Sequence, residues 1–285
     1  MILFFADGKL GNQLFQYAFL KTIAKENEKI ISTNMKQFTE LFEIENKKFK
    51  QITLNKYFNF LLRKFIKPYI LSSMVKLKLI SYIKQDRSKT SALPAYKKQK
   101  GLFPLTLVES NFFQSEDFFD GNKLDIFLRS EYIDEAKKLL NKIAESFTKV
   151  FVHVRRGDYI FEKYLGVQGI DLPKSYFFQA IESIKKEIGN PFFVFLSDDP
   201  SYVECCFSEI ENKVISKNSM GVDLAIMSLC DAGICSNSSF SWWGAYLMSE
   251  RKKVIMPKYW YGWKQKIESH VGIQPKWAEV LEVKI

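Results

Sequence analysis

The stretch Lys149–Tyr159, KVFVHVRRGDY, decides how the chain is read. Val150, Phe151, Val152 and Val154 are the residue types of an inner strand of a parallel sheet, apolar on both faces. Arg155 and Arg156 follow at once, and charged side chains are seldom left at the end of such a strand without a partner. Two readings are open on these residues alone. Either the strand surfaces and closes in an ion pair with Asp158, or the arginines hold an anionic ligand.

Downstream the pattern is regular. YFFQAIESIKKEIG (176–189) reads as a helix ending at Gly189, PFFVFLS (191–197) as a strand, and KVIS (213–216) as a short apolar strand. A helix around Val222–Leu229, the strand AGICS (232–236), a helix through SWWGAYLMSE (241–250) and the strand KVIMP (253–257) complete it. Strands alternating with helices at this spacing specify βαβ units on a parallel sheet. Upstream, ILFFA (2–6) reads as a strand, DGKLGNQ (7–13) as a glycine loop, and Leu14–Lys25 as a helix. The middle, roughly 40–145, mixes apolar helical runs, a turn-like PAYKKQKGLFP (94–104) and an amphipathic helix in EYIDEAKKLLNKIAESF (131–147). The expected boundary lies near 147, dividing the chain into 1–147 and 148–285, the second part closing in a C-terminal tail.

Composition narrows the classes. With 285 residues, 47% hydrophobic and 15% aromatic, the chain can bury a core and is not disordered. Its four cysteines show no C-x-x-C spacing and its histidines are only His153 and His270, so neither a zinc site nor a disulfide framework is expected. No basic n-region precedes the short apolar start, and no window reaches the roughly 18–20 apolar residues of a membrane span. The expected location is cytoplasmic. The net charge of +10 is uneven: Lys47–Lys100 holds fifteen Lys or Arg against Asp86, a net +14 that leaves the remainder at −4. That basic, aromatic segment is a solvated helix face, a surface for anionic lipid, or a nucleic-acid stripe. No nucleic-acid motif accompanies it, so nucleic acid ranks last.

Ligands of open α/β sheets bind beyond the carboxyl ends of the strands. Three polar clusters fall there: HVRRGDY, SDDP (197–200) and SNSSFSWW (236–243). Ser238 and Ser239 stand at a helix start, where free N–H groups suit a phosphate and where a plain N-cap is the ordinary role. Arginine grips phosphate with paired N–H groups and is always charged. Asp198-Asp199 is not a D-x-D metal motif, and one of its carboxylates is expected to serve the turn. Gly8 and Gly11 match neither a dinucleotide fingerprint nor a P-loop. The residues thus describe a phosphorylated ligand held without a metal.

GNQLFQYA near the start, HVRRGDY in the middle and SNSSFSWWGAYL later, in that order, resemble the alpha-1,2-fucosyltransferases of glycosyltransferase family eleven. The resemblance spans positions 8 to about 262 and omits the basic segment. It implies an α/β fold of the GT-B type, two Rossmann-like domains facing a cleft, with the N-terminal one on the acceptor side. It further implies inverting, metal-independent transfer of L-fucose from GDP-β-L-fucose to the 2-hydroxyl of a galactoside, with no cofactor. Arg155 would hold the β-phosphate, His153 the guanosine end, and Asp223 the guanine N1 and N2. Ser238, Ser239 and Phe240 would close over the diphosphate, and Asn12, in the first loop, would reach the donor across the cleft. The general base is open: Asp158 and Glu162 are candidates, and Asp158 equally suits orienting an arginine. Lys9, the segment CDAGIC and Gln168 depart from the family pattern, the last near the acceptor side. The partners implied are GDP-fucose and a galactose-containing or lipid-linked glycan; the basic, aromatic segment 47–100, outside the resemblance, would suit peripheral contact with an anionic membrane. The alternatives are another linkage or acceptor for the same donor, or a non-catalytic GDP-sugar or glycan-binding module.

Overall fold

The computed structural model describes residues 1–45, 47–86 and 94–284. They form two compact units, Met1–Phe127 and Leu128–Ile285. In the N-terminal unit, β1 (Ile2–Phe5), β2 (Ile30–Thr33), β3 (Phe49–Ile52), β4 (Ile80–Asp86), β5 (Ala95–Gln99) and β6 (Phe103–Val108) make one sheet. Its order is β3-β2-β1-β6-β4-β5, parallel except for the edge hairpin β4–β5. The stretch expected to be turn-like, PAYKKQKGLFP, is therefore strand, turn and strand. Its lysines obscure it because they lie on an edge strand, where charge discourages pairing with another chain. Part of the basic segment, residues 87–93, lies outside the described residues.

The first helix, α1, runs Leu10–Ile23 rather than Leu14–Lys25, so it begins inside the expected glycine loop. The turn is completed earlier, by Gly8 at φ +83°, where a Cβ would sit 2.4 Å from Asn12 Nδ2. Asn12 is consequently in the helix's first turn and not in a loop. The face of α1 that carries Phe15, Ala18 and Phe19 is buried, with Phe19 stacked on Phe113 at 3.9 Å. A long helical segment, Lys56–Lys76, is π-helical over Leu62–Leu71, where Pro68 lacks the N–H of a normal turn. Leu62 and Leu71 point inward to join Phe5, Ile80 and Leu107 in an apolar cluster.

In the C-terminal unit β7 (Thr148–Val154), β8 (Pro191–Ser197), β9 (Lys213–Ile215), β10 (Ala232–Ile234), β11 (Lys253–Pro257) and β12 (Glu279–Leu281) are all parallel, ordered β9-β8-β7-β10-β11-β12. Within the unit this is the 3-2-1-4-5-6 order of a Rossmann sheet, with the chain reversing direction across the sheet between β7 and β10. The helix Lys174–Glu187 lays Tyr176, Phe177, Ala180, Ile181 and Ile184 onto the sheet. The end of the chain, expected as a tail, supplies the edge strand β12.

The boundary falls twenty residues before the expected 147, because the helix Ser130–Leu140 packs on the helix Met220–Leu229. Tyr132 lies so close over Gly221 that a Cβ there would be 2.7 Å from its ring. Gly233 in β10 is tighter still, with a Cβ meeting the Phe151 ring of β7 at 2.1 Å. Gly233→Ala is expected to cost about 1–3 kcal/mol through overpacking, read as a lower denaturant midpoint at unchanged slope.

Candidate functional site

Four adjacent strands of the C-terminal unit end in polar residues, and β7 and β10 end on either side of the reversal. From β7 comes His153, buried at 6% exposure, and then Arg155. His153 Nδ1 shares a 2.8 Å hydrogen bond with Ser236 Oγ beyond β10. Burial, reinforced by the Arg155 charge, pushes the imidazole down to about 3, so the ring is neutral at ordinary pH. The folded value lies below the ordinary one near 6.5. The stability this gives is present above about 6.5 and is lost as pH falls toward 3. Wild type is expected to lose up to about 1.4 kcal/mol per pH unit in that window, and His153→Gln to lose that component of the slope; pH-resolved denaturant unfolding measures both.

Arg155 is held from two sides. Its Nη1 lies 2.9 Å from Asp198 Oδ2, its Nη2 pairs with Asp158 Oδ1, and its guanidinium sits 5.1 Å over the Tyr159 ring. Asp198 also accepts the Arg156 backbone N–H at 2.9 Å through Oδ1. Gly157 leaves room for this carboxylate, since a Cβ would fall 2.3 Å from Asp198 Oδ2. Arg156 turns the other way, over the Tyr202 ring at 3.9 Å, with Asp199 Oδ2 3.3 Å from its Nε and Asp171 Oδ2 3.8 Å from its Nη1. Asp199 caps the helix Pro200–Cys206 by accepting from Tyr202 N–H at 3.1 Å. As expected, one carboxylate of SDDP, that of Asp199, serves the turn, while also facing Arg156; the other, Asp198, pairs with Arg155. The ion pair from Arg155 to Asp158 is also present.

After β10, Ser238 Oγ accepts from Phe240 N–H at 3.3 Å and caps the helix Ser239–Tyr246. The Phe240 ring lies 5.6 Å from His153, and Ser239 opens the same helix. Tyr159 and Tyr261 share a 3.1 Å hydrogen bond beside Asn237, whose carbonyl accepts from Tyr159 at 3.4 Å. Beyond the edge strand β9, Ser216 Oγ donates to Asp223 Oδ1 at 2.5 Å. Burial raises the Asp223 carboxyl to about 6 against the lowering effect of that hydrogen bond. The order along the sheet edge is therefore Asp223, Asp198, Arg155 with His153, and Ser238. At about 4.8 Å per strand this row spans roughly 14 Å, the scale of an extended nucleotide.

His153, Arg155, Asp158, Ser238, Ser239 and Phe240 are brought to neighbouring strand ends, with Asp223 two strands away. Asn12 belongs to the other unit, where its Oδ1 accepts from Gln114 Nε2 at 2.6 Å. Glu162, the other carboxylate considered as a base, is exposed. Sequence reasoning missed Ser236 as the partner of His153, Ser216 as that of Asp223, and Tyr261. Ser236 and Ser216 each follow a strand's last apolar residue by one or two positions, a signal that was available. Tyr261 gave none.

The model of glycosyl transferase family 11 matches residues 2–280. An O-antigen biosynthesis glycosyltransferase, WbnK of Escherichia coli, is 25% identical over 90% of this chain and 93% of its own. An alpha-1,2-colitosyltransferase of the same species is 27% identical over 96% of each. A galactoside 2-alpha-L-fucosyltransferase, SEC1 of Bos taurus, is 29% identical over 35% of this chain and 28% of its own. In fold the chain resembles the fucosyltransferase NodZ from Bradyrhizobium, at a TM-score of 0.51 and 12% identity over 87% of this chain and 92% of that one. Two Rossmann-like units with a nucleotide-sized row of polar strand ends accord with the GT-B type of fold. With nearly the whole chain matched, the protein belongs to glycosyl transferase family 11 and is a glycosyltransferase.

Proposed function

We propose that the C-terminal unit holds a GDP-linked 6-deoxy-L-sugar and that the enzyme transfers it to the 2-hydroxyl of a galactoside, with inversion and without a metal. The observation that carries this reading is the row from Asp223 to Ser238, with a buried carboxyl at one end and, in the middle, the Arg155 guanidinium held between Asp198 and Asp158. Asp223 accepts from guanine N1 and N2. His153 fixes the nucleoside end, Arg155 grips the β-phosphate, and Ser238, Ser239 and Phe240 close over the diphosphate. Asn12, the donor-binding residue that the family resemblance adds, stands in the first turn of α1. Asp158 and Asp198 orient Arg155.

In the reaction the acceptor hydroxyl attacks the anomeric carbon from the face opposite the phosphate. The C1–O bond breaks, GDP leaves with the electron pair, and the hydroxyl proton passes to a carboxylate or to water. Charge grows on the leaving diphosphate, where a preorganised guanidinium stabilises it most. The acceptor falls to the N-terminal unit, which has a cavity of about 670 Å³ at the carboxyl end of β6, beside Tyr82 of β4. Lys67, Ser72, Tyr82, Glu109 and Asn111 are among its lining residues, with Tyr82 donating to Glu109 at 3.1 Å. Its size and mixed lining suit a sugar.

Relatives named for fucosyl and colitosyl transfer support the donor class and the linkage. Colitose is fucose without its 3-hydroxyl. The relative named for O-antigen biosynthesis supports a surface-glycan precursor as acceptor. Incubating the enzyme with a galactose-terminated oligosaccharide and GDP-L-fucose, GDP-L-colitose or UDP-galactose tests the proposal. Transfer from a GDP donor alone, with NMR placing the new bond at galactose O2, is expected. Transfer from UDP-galactose, or from none of the three, would contradict it.

A further inference from the structure

We infer that the outer face of the helical segment Lys56–Lys76 docks on an anionic lipid surface. The inference goes beyond the donor reading and does not depend on it. The segment is anchored by one side only: Leu62 and Leu71 are 7% exposed, and Ile66, Met74 and Val75 pack beside them on the apolar cluster of the sheet. The opposite side carries Tyr57 at 83% exposure, Tyr69 at 67% and Phe60 at 56%, together with Leu61, Phe65 and Ile70. Most large apolar side chains exposed elsewhere among the described residues are scattered, as is normal for a surface; here Tyr57, Phe60, Phe65 and Tyr69 recur at spacings of three to five residues, with Leu61 and Ile70 beside them. A contiguous exposed apolar face marks an interaction surface.

Charge selects the occupant. Lys56, Lys64, Lys76 and Lys78 are exposed on or just after the segment, and Lys97, Lys98 and Lys100 are exposed on the neighbouring edge strand and its turn. Between Lys47 and Val108 the sequence offers one acid, Asp86, and it pairs with Lys97. A second copy of the chain would set this cationic face against itself and would bury like charges together. A nucleic acid would use the lysines and leave the aliphatic Leu61 and Ile70 in water. A membrane interface uses both, with aromatic and aliphatic side chains at the headgroup boundary and lysines among anionic headgroups. Among the described residues no helix is long and apolar enough to cross a membrane, so the contact lies in the interface plane. Lys64 Nζ, 5.2 Å over the Phe60 ring, lets charge and ring reach the same headgroup layer.

The test is co-sedimentation of the full chain with phosphatidylcholine vesicles, with and without phosphatidylglycerol, across a salt series. Binding to the anionic vesicles only, weakening as salt rises, is expected. Combined replacement of Tyr57, Phe60, Phe65 and Tyr69 by serine is expected to lower vesicle binding at least tenfold. Circular dichroism and GDP titration of that variant are expected to match wild type, separating lost docking from lost folding or donor binding. Equal binding to neutral vesicles, no binding at low salt, or binding untouched by the serine variant would overturn the inference. So would a solution dimer that the serine variant dissociates, or tight binding of single-stranded RNA through the same side chains.

Discussion

Arg155→Ala is expected to lower kcat by about 10²- to 10³-fold with any competent acceptor, the size of effect seen when one preorganised donor to a developing charge is removed. The guanidinium reaches the diphosphate already aimed, because Asp198 holds Nη1 at 2.9 Å, Asp158 holds Nη2, and the Tyr159 ring lies beneath it. Arg155→Lys restores only part of the rate, since an ammonium cannot meet two oxygens in one plane. Asp198→Asn keeps the shape and removes one orienting charge. Its expected signature is a smaller loss in kcat than Arg155→Ala with a comparable loss in donor affinity. Stopped reactions at saturating donor separate the two parameters.

Asp223→Asn is expected to remove the preference for guanine. An ionised carboxylate accepts two N–H groups, whereas an amide turns one donor toward another and leaves it unmet. Each charge-assisted hydrogen bond is worth about 1.5–3 kcal/mol, so GDP affinity is expected to fall tenfold or more. IDP, which lacks the 2-amino group, is expected to lose less, and the ratio of the two affinities reports the contact. Titration supplies an independent reading. Burial lifts the Asp223 carboxyl to about 6, so GDP binding weakens as pH falls through that value. Stability moves the other way. With a folded value above the unfolded one, near 3.8, the carboxyl stabilises the fold below 3.8, and that contribution is lost as pH rises through 6. Both dependences vanish in Asp223→Asn, and calorimetry and denaturant unfolding at several pH values read them.

The C-terminal unit was legible in the sequence because its strands are buried on both faces. Runs such as VFVHV and FFVFL announce themselves without alternation. Their order in the sheet follows from right-handed crossovers, which places His153 and Ser236 on either side of the reversal. The N-terminal sheet was not legible past β1. β2, β3 and β5 are short, and β5 is an edge strand whose exposed lysines resemble a solvated loop. The helix Ser130–Leu140 was found, but its unit was not. Its partner is a helix ninety residues away, and only the fit of Tyr132 over Gly221 reveals the pairing. In the site, Arg155 stood out as a charge at the end of an apolar run, whereas Asp223 came only from the family resemblance. Asp198 was half read, since a doublet shows that one carboxylate is spare and not which cation it meets.

Calorimetric titration of GDP and GDP-L-fucose into the purified protein with EDTA present, repeated on Arg155→Ala, tests the central claim most directly. Binding that survives EDTA and collapses in the variant is the expected result, and it would identify Arg155 as the group that grips the diphosphate. Wild-type binding that needs a divalent cation, or that is indifferent to Arg155, would contradict it.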